Sequence, residues 1–333
     1  MPQRLVFEER RLSLKWGRSR LPLVTTMSQT IPVLSLQQFL QGTPAEQSAF
    51  VQQLGEALGA IGFFALVDHG IDGGLIQAAY AAAEAVFTLP ASVKQQYEDR
   101  ALHGQRGFTA FGREHAKDSP YPDLKEFWHI GPEQVLPMNL WPAEVPSFKP
   151  AMLTLFTELD RCAQVLLEAC ARFLDLPPRS LADATVNSPT LLRVLHYPPV
   201  SPEQPPAQLR AAAHEDINLI TLLCEATAPG LELQQGDGTW LPIAAIPGQI
   251  IVDTGDMLQN LTNGLFKSTT HRVLNPDNDR DRRFSLPFFV HPRAEIDLSP
   301  RPGCVARTGG KPRFPQITAG EYLHLRLQEI GLT

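Results

Sequence analysis

Three residues far apart in the chain could together do metal chemistry. In Ala213-His214-Glu215-Asp216-Ile217 an imidazole and a carboxylate stand two positions apart. Side chains of an extended backbone alternate between faces, so His214 and Asp216 point one way and Glu215 points off. Two such donors suit a divalent metal, and a third must come from elsewhere. The segment Lys267-Ser268-Thr269-Thr270-His271-Arg272-Val273 supplies a histidine beside a strand-like run. Two histidines and one carboxylate on one face of an octahedral metal leave three positions open, the facial arrangement of non-haem iron(II) chemistry. A bidentate keto acid can take two of them and dioxygen the third. A structural zinc site would instead be closed, tetrahedral and usually cysteine-rich. Taken alone, His-any-Asp is a short pattern that surface turns also carry.

A second pair sharpens the reading. Arg283-Phe284-Ser285 begins twelve residues after His271. Alternation puts the guanidinium and the hydroxyl on one face, with Phe284 on the other. The planar fork of arginine fits a carboxylate bidentately and serine adds a donor. A dicarboxylate that chelates a metal through its keto-acid end needs such an anchor at its far end. A structural salt bridge is the other reading of an isolated arginine.

Read together, these segments resemble a family. The run Gly255-Asp256-Met257-Leu258-Gln259-Asn260-Leu261-Thr262-Asn263-Gly264, continuing to Ser268, His271-Arg272-Val273 and Arg283–Ser285, is similar to the isopenicillin N synthase-like branch of the iron(II)/2-oxoglutarate dioxygenases. So are Ile31-Pro32-Val33, Gly62-Phe63-Phe64 with His69-Gly70, Leu89-Pro90 with Lys94, and Pro122-Asp123-Leu124-Lys125-Glu126, in the family's order. The resemblance covers roughly residues 31 to 295. It implies a mainly β fold with flanking helices, a double-stranded β-helix (jelly roll) core behind a helical N-terminal half. It implies iron(II) on His214, Asp216 and His271, 2-oxoglutarate on Arg283 and Ser285, and dioxygen as co-substrate. Tyr197, in His196-Tyr197-Pro198-Pro199, matches a family tyrosine that helps hold the co-substrate. Plant members often carry asparagine two residues before it, where this chain has Leu195, which puts one secondary contact in doubt. Arg193 stands where a basic residue often occurs. Phe289 matches a position that often touches substrate.

The implied activity is oxidation of a small organic molecule (hydroxylation, desaturation or cyclisation) with release of succinate and CO2. An isopenicillin N synthase-like oxidase without 2-oxoglutarate is an alternative, since the same clamp would hold a substrate carboxylate. Ethylene formation from 2-oxoglutarate itself is another, and a jelly-roll binder without turnover is the non-enzymatic one. Substrate contacts in such an architecture come from variable loops. Phe108, within Gln105–Phe111, together with Glu215 and Phe289 are the candidates. His291 follows Phe289 on a strand whose inner face should approach the metal. His69 reads as bracing a turn, and His103, His115, His129 and His324 as surface or packing residues.

The elements that must position these groups are legible in part. Phe50, Leu54, Leu58 and Ile61 recur at helical spacing over Pro44–Ile61, and Gly62 suits the left-handed end of that helix. Phe63–Val67 reads as a strand, Leu75–Phe87 as a helix stopped by Leu89-Pro90, and 104–131 as loop with short strand. Pro150–Leu176 is the clearest amphipathic helix. Ile31–Leu36, Leu191–Leu195, Asn218–Cys224, Leu231–Gln234, Gln249–Val252 and Phe284–Val290 read as short strands between turns. The expected organisation is an extension over 1–26, disordered or translated from a start codon set too early, then a helical/mixed region over 27–187. A jelly-roll core follows over 188–295 and a C-terminal segment over 296–333, forming one catalytic unit.

Composition agrees with a globular enzyme. The 333 residues are 43% hydrophobic and 19% charged, enough for a sizeable core. A net charge of -6 argues against a nucleic-acid surface. No apolar run approaches the roughly 20 residues of a membrane span. Cys162, Cys170, Cys224 and Cys304 form no close pair, so a reducing cytoplasm is the expected compartment.

Overall fold

The structure, a computed structural model, describes residues 30–332 apart from 118, 201–204, 206–207, 245 and 277–280. The expected 1–26 extension lies outside the described residues. Thr43 starts the Pro44–Ala60 helix with a capping box, its hydroxyl accepting from the Glu46 N–H while Glu46 reaches back to the Thr43 N–H. Phe50, Leu54 and Leu58 are buried along one stripe. Gly62 follows at φ +80°, where a Cβ would lie 2.3 Å from the Lys267 carbonyl, so only glycine fits. The 26-residue helix Phe148–Phe173 buries Met152, Leu155, Leu159, Leu166 and Leu167 and packs on the Pro44–Ala60 and Gly73–Thr88 helices.

Among the described residues the strands form two sheets. The larger runs Val33–Ser35, Phe63–Val67, Ile250–Thr254, Ile220–Cys224, Pro287–Val290, Leu191–Tyr197, Glu126–Ile130, Gly107–Thr109, with Arg283–Ser285 also paired to Leu191–Tyr197. The smaller runs Ala211–His214, His271–Val273, Leu231–Gln234, Trp240–Pro242. One core cluster lies between the large sheet and the helices, and a second, with Phe63, Phe127, Leu195, Tyr197, Leu233, Ile251 and Val273, lies between the sheets. This is a jelly-roll core flanked by helices.

Three elements differ from the sequence reading. The 104–131 stretch contributes two strands, Gly107–Thr109 and Glu126–Ile130, with every residue buried. A strand covered on both faces shows no polar/apolar alternation, so its period is invisible in sequence. The first strand is only Val33–Ser35, and Leu36 already begins a helix to Gln41. The C-terminal segment, to which sequence patterning assigns no element, forms helices Pro302–Arg307 and Ala319–Glu329, the latter with its own Thr318–Glu321 capping box.

Candidate metal centre and its cavity

The antiparallel register of the small sheet sets His271 directly across from His214. Their ring centroids are 4.5 Å apart. Asp216 lies just past the end of the His214 strand, with Oδ1 at 3.7 Å from His271 Nε2 and 4.0 Å from His214 Nε2. One donor atom from each residue fits within 4.8 Å of the others. Both imidazoles are fixed in the same tautomer. Nδ1–H of His214 donates to the Ala212 carbonyl at 2.7 Å and that of His271 to Thr269 at 3.2 Å, leaving each Nε2 lone pair for a metal. Burial, and next the neighbouring His271, push the His214 pKa down to about 4, so it is neutral and ready to ligate.

Asp216 is held from behind by groups that sequence reasoning missed. The Thr221 hydroxyl donates to its Oδ2, and Asn218 in turn bonds Thr221. Asp253, 4% exposed on the neighbouring strand, has its carboxyl pushed well above the usual range by burial and then by the Asp216 charge. Thr221 lies five residues after Asp216 on the strand that follows it, whereas Asp253 comes from the strand paired beside Thr221. The donor set of two nitrogens and an oxygen without sulfur fits iron(II) or manganese(II) better than structural zinc.

Arg283 and Ser285 face inward, each 2% exposed, while Phe284 turns outward to stack on His196 at 4.9 Å. Arg283 pairs in register with Tyr197, and its guanidinium carbon lies 5.0 Å from that ring. Its Nε donates to the Ala228 carbonyl at 3.0 Å, but Nη1, though buried, has no acceptor among the described residues. A buried guanidinium nitrogen without a partner is costly, and an anionic acceptor such as a carboxylate supplies what it lacks. Leu195 stands across from Ser285 in the register and adds apolar surface there in place of an amide.

A cavity of about 90 Å³ opens beside His214 and Asp216. Glu215, Phe289 and His291 line it. Glu215 also accepts from the Thr270 hydroxyl, which ties it to the strand carrying His271. Phe108 is not brought there: it is 3% exposed in the helix-side core, 6.2 Å from the Trp128 ring and capped by Lys94. The face on which a short strand presents its odd residues depends on its neighbours, which sequence spacing does not give. His115 and His129, read as surface or packing residues, both line the cavity.

The cavity wall is a buried charge network. Lys125 bridges Glu114 at 2.6 Å and Asp123 at 2.8 Å. Arg193 grips Glu114 with two 3.0 Å bonds and donates to His129 Nε2 at 2.6 Å. Burial alone would raise the Glu114 carboxyl, but Arg193 and Lys125 hold it well below the usual carboxylate range. Asp123 also accepts from the Ala212 N–H at 2.9 Å, which couples this wall to the strand carrying His214. His291 repeats the tautomer seen at the metal centre, with Nδ1–H donating to Phe289 and burial lowering its pKa to about 4. The C-terminal helix closes the opposite side with Leu323, Arg326 and Leu327.

Comparisons with known proteins agree with this geometry. Residues 189–292 match the family described as the 2OG-Fe(II) oxygenase superfamily, and residues 31–144 match the N-terminal family described as non-haem dioxygenase in morphine synthesis. The chain is 30% identical to a 2-oxoglutarate-Fe(II) type oxidoreductase, ppzD, of Metarhizium rileyi, over 90% of this chain and 91% of the relative. A solved structure of a Caulobacter crescentus protein assigned to the 2OG-Fe(II) oxygenase family is 38% identical, covers 90% of this chain and 98% of its own, and superposes with a TM-score of 0.78. A full-length Neurospora crassa protein, solved in complex with alpha-KG and thymine, is 26% identical with a TM-score of 0.82, covering 92% of this chain and 98% of its own. No helix among the described residues is long and apolar enough to cross a membrane.

Proposed function

The chain belongs to the 2OG-Fe(II) oxygenase superfamily and is an iron- and 2-oxoglutarate-dependent dioxygenase, and from that premise we propose how its residues divide the work. His214, Asp216 and His271 hold iron(II), Arg283 with Ser285 and Tyr197 holds the far carboxylate of 2-oxoglutarate, and the adjoining cavity takes a small polar organic molecule. The observation that carries this reading is the register that places His271 opposite His214 with the Asp216 carboxylate within 4.0 Å of both.

The bound metal and co-substrate supply the activation of dioxygen, with succinate and CO2 as the co-substrate's products. The chain does the rest. Thr221 and Asp253 fix the Asp216 carboxylate so that Oδ1 faces the two imidazoles. Arg283 and Ser285 orient the co-substrate from its far end. Phe289 and the C-terminal helix narrow the cavity and exclude water from the reacting centre. His291 Nε2, left as an acceptor, reads an N–H or O–H of the substrate. The polar cavity wall supports this class of substrate, as does the thymine held by the Neurospora protein.

Residues 27–187 and 188–295 serve as one catalytic unit in this reading, supported by the sheet that they share. A cytoplasmic location is supported by four buried, unpaired thiols. The acidic balance argues against nucleic acid as partner.

The test is oxygen uptake and succinate release by anaerobically iron-loaded protein, with and without 2-oxoglutarate. Slow succinate formation that needs both iron and 2-oxoglutarate is expected even before a substrate is added. Iron binding with no 2-oxoglutarate binding or turnover would overturn the assignment of Arg283 and Ser285.

A further inference from the structure

We propose that Arg210 is a second anchoring guanidinium for the far carboxylate of 2-oxoglutarate, acting beside Arg283 around the Tyr197 ring. The inference rests on the co-substrate site just proposed and adds to it a residue that the Arg-x-Ser pattern does not contain. Arg210 lies four positions before His214, next to the strand Ala211–His214, and is 1% exposed. Its backbone N–H donates to Asn275 Oδ1 at 3.0 Å and its Nη2 to the Asp281 carbonyl, which pin the residue in place. Its Nε is buried and has no acceptor among the described residues.

The two arginines form one cluster. The Arg210 guanidinium carbon is 6.0 Å from the Tyr197 ring and that of Arg283 is 5.0 Å from the same ring. Each keeps one buried nitrogen without a partner among the described residues, Nε of Arg210 and Nη1 of Arg283. Neither makes a carboxylate ion pair within 4.0 Å among the described residues. Two like charges buried together are unfavourable unless a counter-charge joins them. Asp281 acts on Arg210 from a distance and Tyr197 offers a ring face, while burial and then the Arg283 charge bring the Arg210 pKa down to about 10. Arg210 therefore stays cationic at neutral pH.

Two guanidinium charges thus lie together with no carboxylate within ion-pair distance of either among the described residues. The free carboxylate of a keto dicarboxylate supplies a counter-charge to both. Its two oxygens also offer about four lone-pair sites, more than Arg283 and Ser285 fill. The unpartnered nitrogens match the remaining ones. Lysine at position 210 would keep the charge and lose the fork.

The test is calorimetric titration of manganese(II)-loaded protein with 2-oxoglutarate and with 2-oxobutanoate, which keeps the keto-acid head and lacks the far carboxylate. Arg210→Met is expected to weaken 2-oxoglutarate about 10- to 100-fold, the scale of a charge-assisted hydrogen bond, and to leave 2-oxobutanoate unchanged. Arg283→Ala, run alongside, reports on the site itself. If Arg283→Ala discriminates between the acids and Arg210→Met does not, the role of Arg210 is refuted and the site stands. Should neither discriminate, the co-substrate site is misplaced and the inference goes with it. Equal weakening of both acids by Arg210→Met would make Arg210 structural only. Arg210→Lys carries the same comparison if the methionine variant does not fold, with a smaller, still 2-oxoglutarate-selective loss expected and an unselective one overturning the proposal.

Discussion

Replacing Thr221 by valine removes one hydroxyl and leaves the shape of the side chain almost unchanged. That hydroxyl donates to Asp216 Oδ2 at a site where Asp216 is 7% exposed and Thr221 only 2%, so water cannot take its place. A hydrogen bond to a charged group contributes about 1.5–3 kcal/mol, which at 1.36 kcal/mol per decade is about 10- to 150-fold. Outer partners of metal ligands typically contribute 10- to 100-fold to metal affinity, so two independent scales agree. Asn218 loses one partner at 3.2 Å but keeps its 2.6 Å bond to the Ile220 carbonyl, and the fold should therefore suffer little. Anaerobic titration with manganese(II) or iron(II) should show metal affinity reduced at least about 10-fold, while the Tm of metal-free protein falls by no more than a few degrees. Unchanged metal affinity would refute the reasoning. So would a metal-free Tm that falls as far as the metal-loaded one, because the bond would then serve the fold and not the carboxylate.

Other substitutions probe the site and the scaffold separately. Asp216→Ala should abolish both metal binding and iron-dependent succinate release; retained turnover would remove Asp216 from the ligand set. Arg283→Ala should weaken 2-oxoglutarate by about 1.5–3 kcal/mol with metal affinity intact, and an unaltered apparent affinity would exclude it as the anchor. Gly55→Ala places a Cβ 2.1 Å from the Phe173 ring, and overpacking of about 1–3 kcal/mol should outweigh the roughly 1 kcal/mol gain in helix propensity. A Tm equal to or above the parent's would contradict that packing. The pH dependence has a definite sign. Burial depresses His129, His196 and His291, so below about pH 6.5 the unfolded chain takes protons that the native imidazoles refuse. Glu114 and Glu126, whose depressed carboxyls contribute stability above their ordinary range near 4.5, lose it as pH falls further. Metal-free protein should therefore lose Tm steadily from pH 7 to pH 4, and a flat profile would show that these groups are not buried as described.

What the sequence by itself determined about this protein is local. Two-residue spacing puts His214 with Asp216 and Arg283 with Ser285, because the period of an extended chain is two. Phe284 turning outward to His196 follows from that same period. The long amphipathic helix and the capped, glycine-ended helix before Phe63 are equally local, since stripes, caps and left-handed ends depend only on near neighbours. Tertiary structure alone decided what meets across strands. The register that sets His271 opposite His214 joins positions 57 residues apart in the chain, with a bulge that no spacing shows. Asp253 comes beside Asp216 from a paired strand, and Arg210 comes near the Tyr197 ring from a separate segment of the chain. Lys125 and Arg193 stand in sequence at positions the family resemblance covers, but only the fold shows that they neutralise Glu114 inside the cavity wall. Phe108 is the converse case: its strand is buried on both faces, so packing in the helix-side core, not spacing, sets which way it points. Side-chain periodicity reports which face a residue takes on its own element, whereas a binding site is made where several elements converge, and that convergence is set by the global burial of the core.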